Sequence, residues 1–163
     1  MTKISEFKRV LVIEDTDLKW QQIEKVLLPV VPEDTEIVRA ADMIEGRNLI
    51  YAGGWDILLL DVSLDIRANG SKNARGNHEF TGGLQLASRM RNLRKEIPTI
   101  VITGFETFPS PRPQGDHEIV LGLEDVEREM RKYLGDFVIG LVRHGSTGWE
   151  GQLRKFVMGR LVS

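Results

Sequence analysis

Three acidic residues stand directly behind apolar runs: Glu14 and Asp15 follow Val10-Leu11-Val12-Ile13, and Asp61 follows Ile57-Leu58-Leu59-Leu60. A carboxylate at the end of a buried strand can ligate a hard cation, attack a phosphoryl donor, or cap the next turn. If the two strands are neighbours, all three acids share one pocket. Two unit charges about 4 Å apart repel by roughly 4 kcal/mol at an effective dielectric of 20, so three ionised carboxylates require a compensating cation. Magnesium fits, because it takes one or two carboxylates, a carbonyl and waters, and also binds phosphoryl oxygens. Glu14, Asp15 and Asp61 therefore read as a Mg2+ site, with Asp61 able to become an aspartyl phosphate. Thr103, closing the run Thr99-Ile100-Val101-Ile102, can hydrogen-bond a phosphoryl oxygen, and Gly104 leaves room for backbone amides. Arg143, behind a fifth apolar run, offers a cation with bidentate geometry for the same group.

The elements that must position these residues alternate along the chain. The run ending at Ile13 predicts a first strand, and Thr16 is expected to cap a helix carrying Trp20, Ile23, Val26 and Leu27 at helical spacing before Pro29 and Pro32. A weaker strand spans Thr35 to Ala40, and a helix from about Asp42 ends at Gly53-Gly54. The third strand runs into Asp61. Leu84, Ala87, Met90 and Leu93 mark a third helix, and Pro98 opens a fourth strand over Thr99 to Thr103. A fourth helix carries Leu123, Val126, Met130 and Leu134, a fifth strand spans Phe137 to Val142, and a last helix carries Trp149, Leu153, Phe156 and Val157. Five strand-helix units with right-handed crossovers predict an α/β doubly wound five-stranded parallel sheet, order 2-1-3-4-5, with helices on both faces. In that order the first and third strands are adjacent, which brings Glu14, Asp15 and Asp61 together.

Two connections exceed the usual βα loop of about 2 to 6 residues: one at about 63–81, rich in Gly, Asn, Lys and Arg, and one at about 105–122 with Pro109, Pro111 and Pro113. Both leave carboxyl ends of strands, the side on which open α/β sheets bind ligands, and are expected to lid the site or present a partner surface.

Composition bounds the rest. The 163 residues allow one domain spanning 1–163. With 22 Lys and Arg against 24 Asp and Glu, the net charge of −2 offers no footprint for direct nucleic-acid binding or for an anionic membrane. The absence of cysteine excludes disulfides, thiolate nucleophiles and Cys-ligated metals. No apolar run reaches transmembrane length and no signal-type segment opens the chain, so a cytoplasmic location is expected.

Val12-Ile13-Glu14-Asp15, Asp56-Ile57-Leu58-Leu59-Leu60-Asp61, Gly83-Leu84-Gln85-Leu86 and Ile100-Val101-Ile102-Thr103-Gly104 resemble, in order, the blocks of the receiver domain of two-component response regulators. The resemblance covers nearly the whole chain and implies a flavodoxin-like sheet. It further implies that Glu14 and Asp15 hold Mg2+ and that the Ser63 carbonyl completes the metal site. Asp61 would be phosphorylated by a histidine kinase or phosphotransfer protein, and Thr103 would move toward the phosphoryl group to signal to a downstream protein. Receivers often pair through the fourth helix, fifth strand and fifth helix, so a homodimer is among the implied assemblies. The sequence departs from the family at the end of the fifth strand, where Lys-Pro is replaced by Arg143-His144, a bond expected to be trans. The aromatic that receivers carry three residues earlier is replaced by Gly140. These departures predict weaker switching.

The leading reading is a stand-alone phosphorylation switch, whose only chemistry would be self-phosphorylation and autodephosphorylation. The alternative is a phosphorylation-independent pseudo-receiver. A hydrolase using Asp61 lacks a general acid, since Asp61-Val62-Ser63 has no second aspartate. Taken singly, Asp61 could be a turn cap, Thr103 a β-branched strand end and Arg143 a solvated charge. His78, His117 and His144 lack ligand spacing and read as surface residues, and Gly53-Gly54 and Gly82-Gly83 as helix punctuation.

Overall fold

The computed structural model describes residues 7–62, 82–104, 107–109 and 120–161. The chain order is β1 (Arg9–Ile13), α1 (Asp17–Leu27), β2 (Glu36–Ala40), α2 (Met43–Ala52), β3 (Ile57–Asp61), α3 (Gly82–Asn92), β4 (Thr99–Thr103), β5 (Thr107–Pro109), β6 (Val120–Gly122), α4 (Leu123–Leu134), β7 (Val138–Arg143) and α5 (Trp149–Leu161). Five strands form one sheet in the order β2-β1-β3-β4-β7, and every pairing within it is parallel. This is the expected 2-1-3-4-5 arrangement, with β7 as the fifth strand.

The three central strands are continuous apolar runs because both of their faces are covered. On one face Leu11, Leu58, Leu60 and Val101 pack with Ile50 of α2, Leu86 and Met90 of α3, and Val126 and Met130 of α4. On the other, Val12, Leu59, Ile102 and Val142 pack with Ile23 and Leu27 of α1 and Leu153 and Val157 of α5. The amino end of β1 is tied down by Arg9, whose guanidinium lies 4.1 Å from the Trp55 ring centroid and whose Nε donates to Glu36 Oε2 at 2.8 Å.

Three local expectations are revised. Thr16 sits at the start of α1 but its side chain does not cap the helix; its hydroxyl donates to Asp15 Oδ1 at 3.4 Å and its backbone N–H to Glu14 Oε1 at 3.0 Å. The segment at about 105–122 is not wholly loop, since Thr107–Pro109 pairs antiparallel with Val120–Gly122 just before α4. Gly82 and Gly83 belong to the first turn of α3 instead of punctuating it. A Cβ on Gly83 would lie 2.5 Å from Val62 Cα and 2.6 Å from the Asp61 carbonyl oxygen, so the missing side chain lets the helix close directly on the end of β3. Gly140 is likewise filled from outside: a Cβ there would lie 2.4 Å from Cζ of Phe156, whose ring covers β7 from α5.

Candidate phosphoryl and metal site

Parallel register fixes the site's width. Ile13 pairs with Leu60 across β1 and β3, so the next residues, Glu14 and Asp61, emerge side by side on the α1 and α5 face. The chain then turns into α1, leaving Asp15 exposed at the rim. Carboxylate oxygens of Glu14, Asp15 and Asp61 lie within 4.8 Å of one another. Glu14 and Asp61 are only 1% and 3% exposed, although they carry the charges most costly to remove from water.

Lys19 offsets part of that cost. Its Nζ lies 2.9 Å from Asp61 Oδ2, which accepts a hydrogen bond, and 3.1 Å from Glu14 Oε2. The lysine side chain itself is only 11% exposed. The contact to Glu14 lacks hydrogen-bond geometry, so the buried Oε2 receives no directed donor. Burial, and then the neighbouring Asp61 charge, raise the Glu14 carboxyl from 4.5 to about 8, with Lys19 and the Thr16 N–H opposing. Burial works against the Lys19 ammonium, but the charges of Asp61 and Glu14 outweigh it and raise its pKa.

Thr103 is fully buried at the end of β4, and its carbonyl accepts from the His144 N–H at 2.8 Å. It is the register partner of Arg143. The next residue, His144, faces α1 and α5. His144 is not a plain surface histidine: its ring lies 4.6 Å from that of Trp149, and its Nε2 lies 2.6 Å from Gln22 Oε1. Burial first, then Lys19, lower its pKa, with Asp61 opposing. The Arg143-His144 bond is trans, there being no cis peptide among the described residues. Ser63 and the whole segment 63–81 lie outside the described residues.

The structure thus gathers Glu14, Asp15 and Asp61 at one point and sets Thr103 and Arg143 together on the next two strand ends. Sequence reasoning missed Lys19. The available signal was its position four residues after Asp15, in the first turn of a helix that starts almost at the strand end. Helical side chains lean toward the N-terminus, which here means back over the carboxylates.

The residues present fit a divalent cation: three oxygen ligands converge, and one buried carboxylate oxygen lacks a directed donor.

No family model and no curated protein matches the chain in sequence. Solved structures do match it in fold. A CheY-like response regulator receiver domain protein from Methanospirillum hungatei JF-1 superposes with a TM-score of 0.61 at 17% identity, over 95% of this chain and 94% of that one. Chemotaxis protein CheY4 of Vibrio cholerae gives 0.59 at 16% identity, over 95% and 99%. The signal receiver domain of an HD domain-containing protein from Pseudomonas fluorescens Pf-5 gives 0.58 at 12% identity, over 95% and 94%. The chain has the fold of response regulator receiver domains. Among the described residues no helix is long and apolar enough to cross a membrane.

Proposed function

We propose that this protein is a signalling switch that accepts a phosphoryl group on Asp61 and passes the signal to another protein by contact. The observation that carries the reading is the buried Asp61 carboxylate at the end of the central strand, with Glu14 and Asp15 oxygens within 4.8 Å, on a receiver fold. An Asp61 oxygen attacks the phosphorus of the donor, a new P–O bond forms, the bond to the leaving group breaks, and the leaving group keeps the electron pair. Glu14, Asp15 and Asp61, with the Ser63 carbonyl, would hold Mg2+, which when bound neutralises charge between anionic donor and anionic acceptor. The α1 helix and the Thr16 N–H fix Glu14, the close seat of Gly83 fixes the end of β3, and Thr103 supplies a hydroxyl to a phosphoryl oxygen. The donor class is a histidine kinase or phosphotransfer protein, and the setting is cytoplasmic.

Incubation with acetyl phosphate and Mg2+, read by intact-mass spectrometry, tests this. Wild type should gain one phosphoryl group, and Asp61→Asn or excess chelator should abolish the gain. Equal modification of the variant refutes the reading.

One observation favours the second reading, a phosphorylation-independent interaction module: Lys19 already supplies a positive charge inside the carboxylate pocket. A wild type that never takes up phosphate under these conditions selects it.

A further inference from the structure

We propose that Lys19, in the first turn of α1, is the cation of the phosphoryl site: it neutralises Asp61 at rest, grips the oxygens of a phosphoryl group on Asp61, and competes with a divalent cation for the carboxylates. The proposal rests on the phosphoacceptor reading of Asp61 and names a residue for it that the family resemblance does not.

The geometry is specific. Lys19 Nζ touches the reacting carboxylate itself at 2.9 Å and its neighbour Glu14 at 3.1 Å. A lysine whose side chain is only 11% exposed holds its charge there through direct contact with opposite charge. The end of β7, where receivers carry lysine, presents a different arrangement. Arg143 stands there as the register partner of Thr103, and the ring of the next residue, His144, is engaged by Trp149 and Gln22. Lys19 thus sets a positive charge beside Asp61 from a helix turn. A lysine suits the task because its ammonium is compact and its stem flexible, so Nζ can pass from the Asp61 carboxylate to attached phosphoryl oxygens without backbone movement. The same contact sets up competition, since the ammonium sits among the oxygens that a metal would use.

The test compares wild type, Lys19→Met and Arg143→Met in two measurements. Mg2+ affinity is read by calorimetry without any phosphoryl donor, and uptake of beryllofluoride, a phosphoryl mimic, is read by fluorine NMR at saturating Mg2+. Loss of a charge-assisted contact is about tenfold or more in an equilibrium constant, so Lys19→Met should bind Mg2+ about tenfold more tightly and beryllofluoride about tenfold more weakly. The beryllofluoride loss should exceed that in Arg143→Met. Lys19→Met with wild-type affinity for either probe, or a larger loss in Arg143→Met, overturns the assignment. A wild type that takes up no beryllofluoride defeats the phosphoacceptor reading itself, and with it the phosphoryl contact of Lys19. Should Lys19→Met not fold, the 15N signal of the Lys19 ammonium in wild type decides: a shift on adding Mg2+ and again on adding beryllofluoride supports the role, and an unmoved signal refutes it.

Discussion

Replacing Glu14 with glutamine isolates the charge that the fold keeps out of water beside β1. Glutamine has the shape of the protonated acid, so the two proteins should match in stability where Glu14 is protonated and diverge where it is not. Burial, followed by the Asp61 charge, moves the Glu14 carboxyl from 4.5 to about 8 in the folded, metal-free protein. Lys19 opposes this at 3.1 Å, a separation worth about 5 kcal/mol at an effective dielectric of 20, yet desolvation and Asp61 together prevail. A folded pKa above the unfolded one gives stability that is fully present below pH 4.5 and lost as the pH rises through about 8. At about 1.4 kcal/mol per pH unit the whole interval amounts to at most on the order of 5 kcal/mol. His144 shifts the other way: its contribution is present above 6.5 and lost as the pH falls below it, so it leaves the interval from 6.5 to 8 to Glu14. Lys19, raised above 10.5, changes stability only in strong alkali. Urea unfolding in chelator, followed by tryptophan emission at several pH values from 5 to 8.5, measures the effect. The wild type should lose several kcal/mol across the range and Glu14→Gln should lose far less, becoming the more stable protein at the alkaline end. Saturating Mg2+ should flatten the wild-type profile, because the ionised carboxylate is the form a cation binds. Parallel profiles for the two proteins, or a wild type more stable than the variant at pH 8.5, would refute the reasoning.

The remaining predictions concern two glycines. Gly83→Ala puts a Cβ within 2.6 Å of backbone atoms of Val62 and Asp61 that have no side-chain freedom to yield. It should cost about 1 to 3 kcal/mol in denaturant unfolding and weaken Mg2+ binding by displacing the end of β3. A variant with wild-type stability and Mg2+ affinity would show that α3 does not bear on the site. Gly140→Ala meets the ring of Phe156, the far end of a flexible side chain, so its cost should fall when Phe156 is also made leucine. Strictly additive effects in that double-mutant cycle would disprove the contact.

What was legible in the sequence and what was not divide along physical lines. The buried strands could be read because a strand covered on both faces tolerates only apolar residues, and β1, β3 and β4 are accordingly 0–1% exposed over Val10–Ile13, Ile57–Leu60 and Ile100–Ile102. Their order followed from alternation with helices, and the order alone juxtaposed Glu14, Asp15 and Asp61. The short β5–β6 ribbon escaped notice, since three-residue strands beside prolines carry no periodicity to detect.

The sequence by itself thus determined the sheet, its winding and the three acids at its carboxyl edge, because these depend on periodicity and chain direction. Tertiary structure alone decided how the charge of those acids is balanced. A lysine in a first helical turn reads as solvated, and only the lean of α1 over β1 and β3 turns Lys19 inward to two carboxylates. The engagement of the His144 ring by Trp149 and Gln22 likewise follows from the packing of the end of β7 against α1 and α5. Such placements depend on distances between elements far apart in the chain, and no local pattern of residue types encodes them.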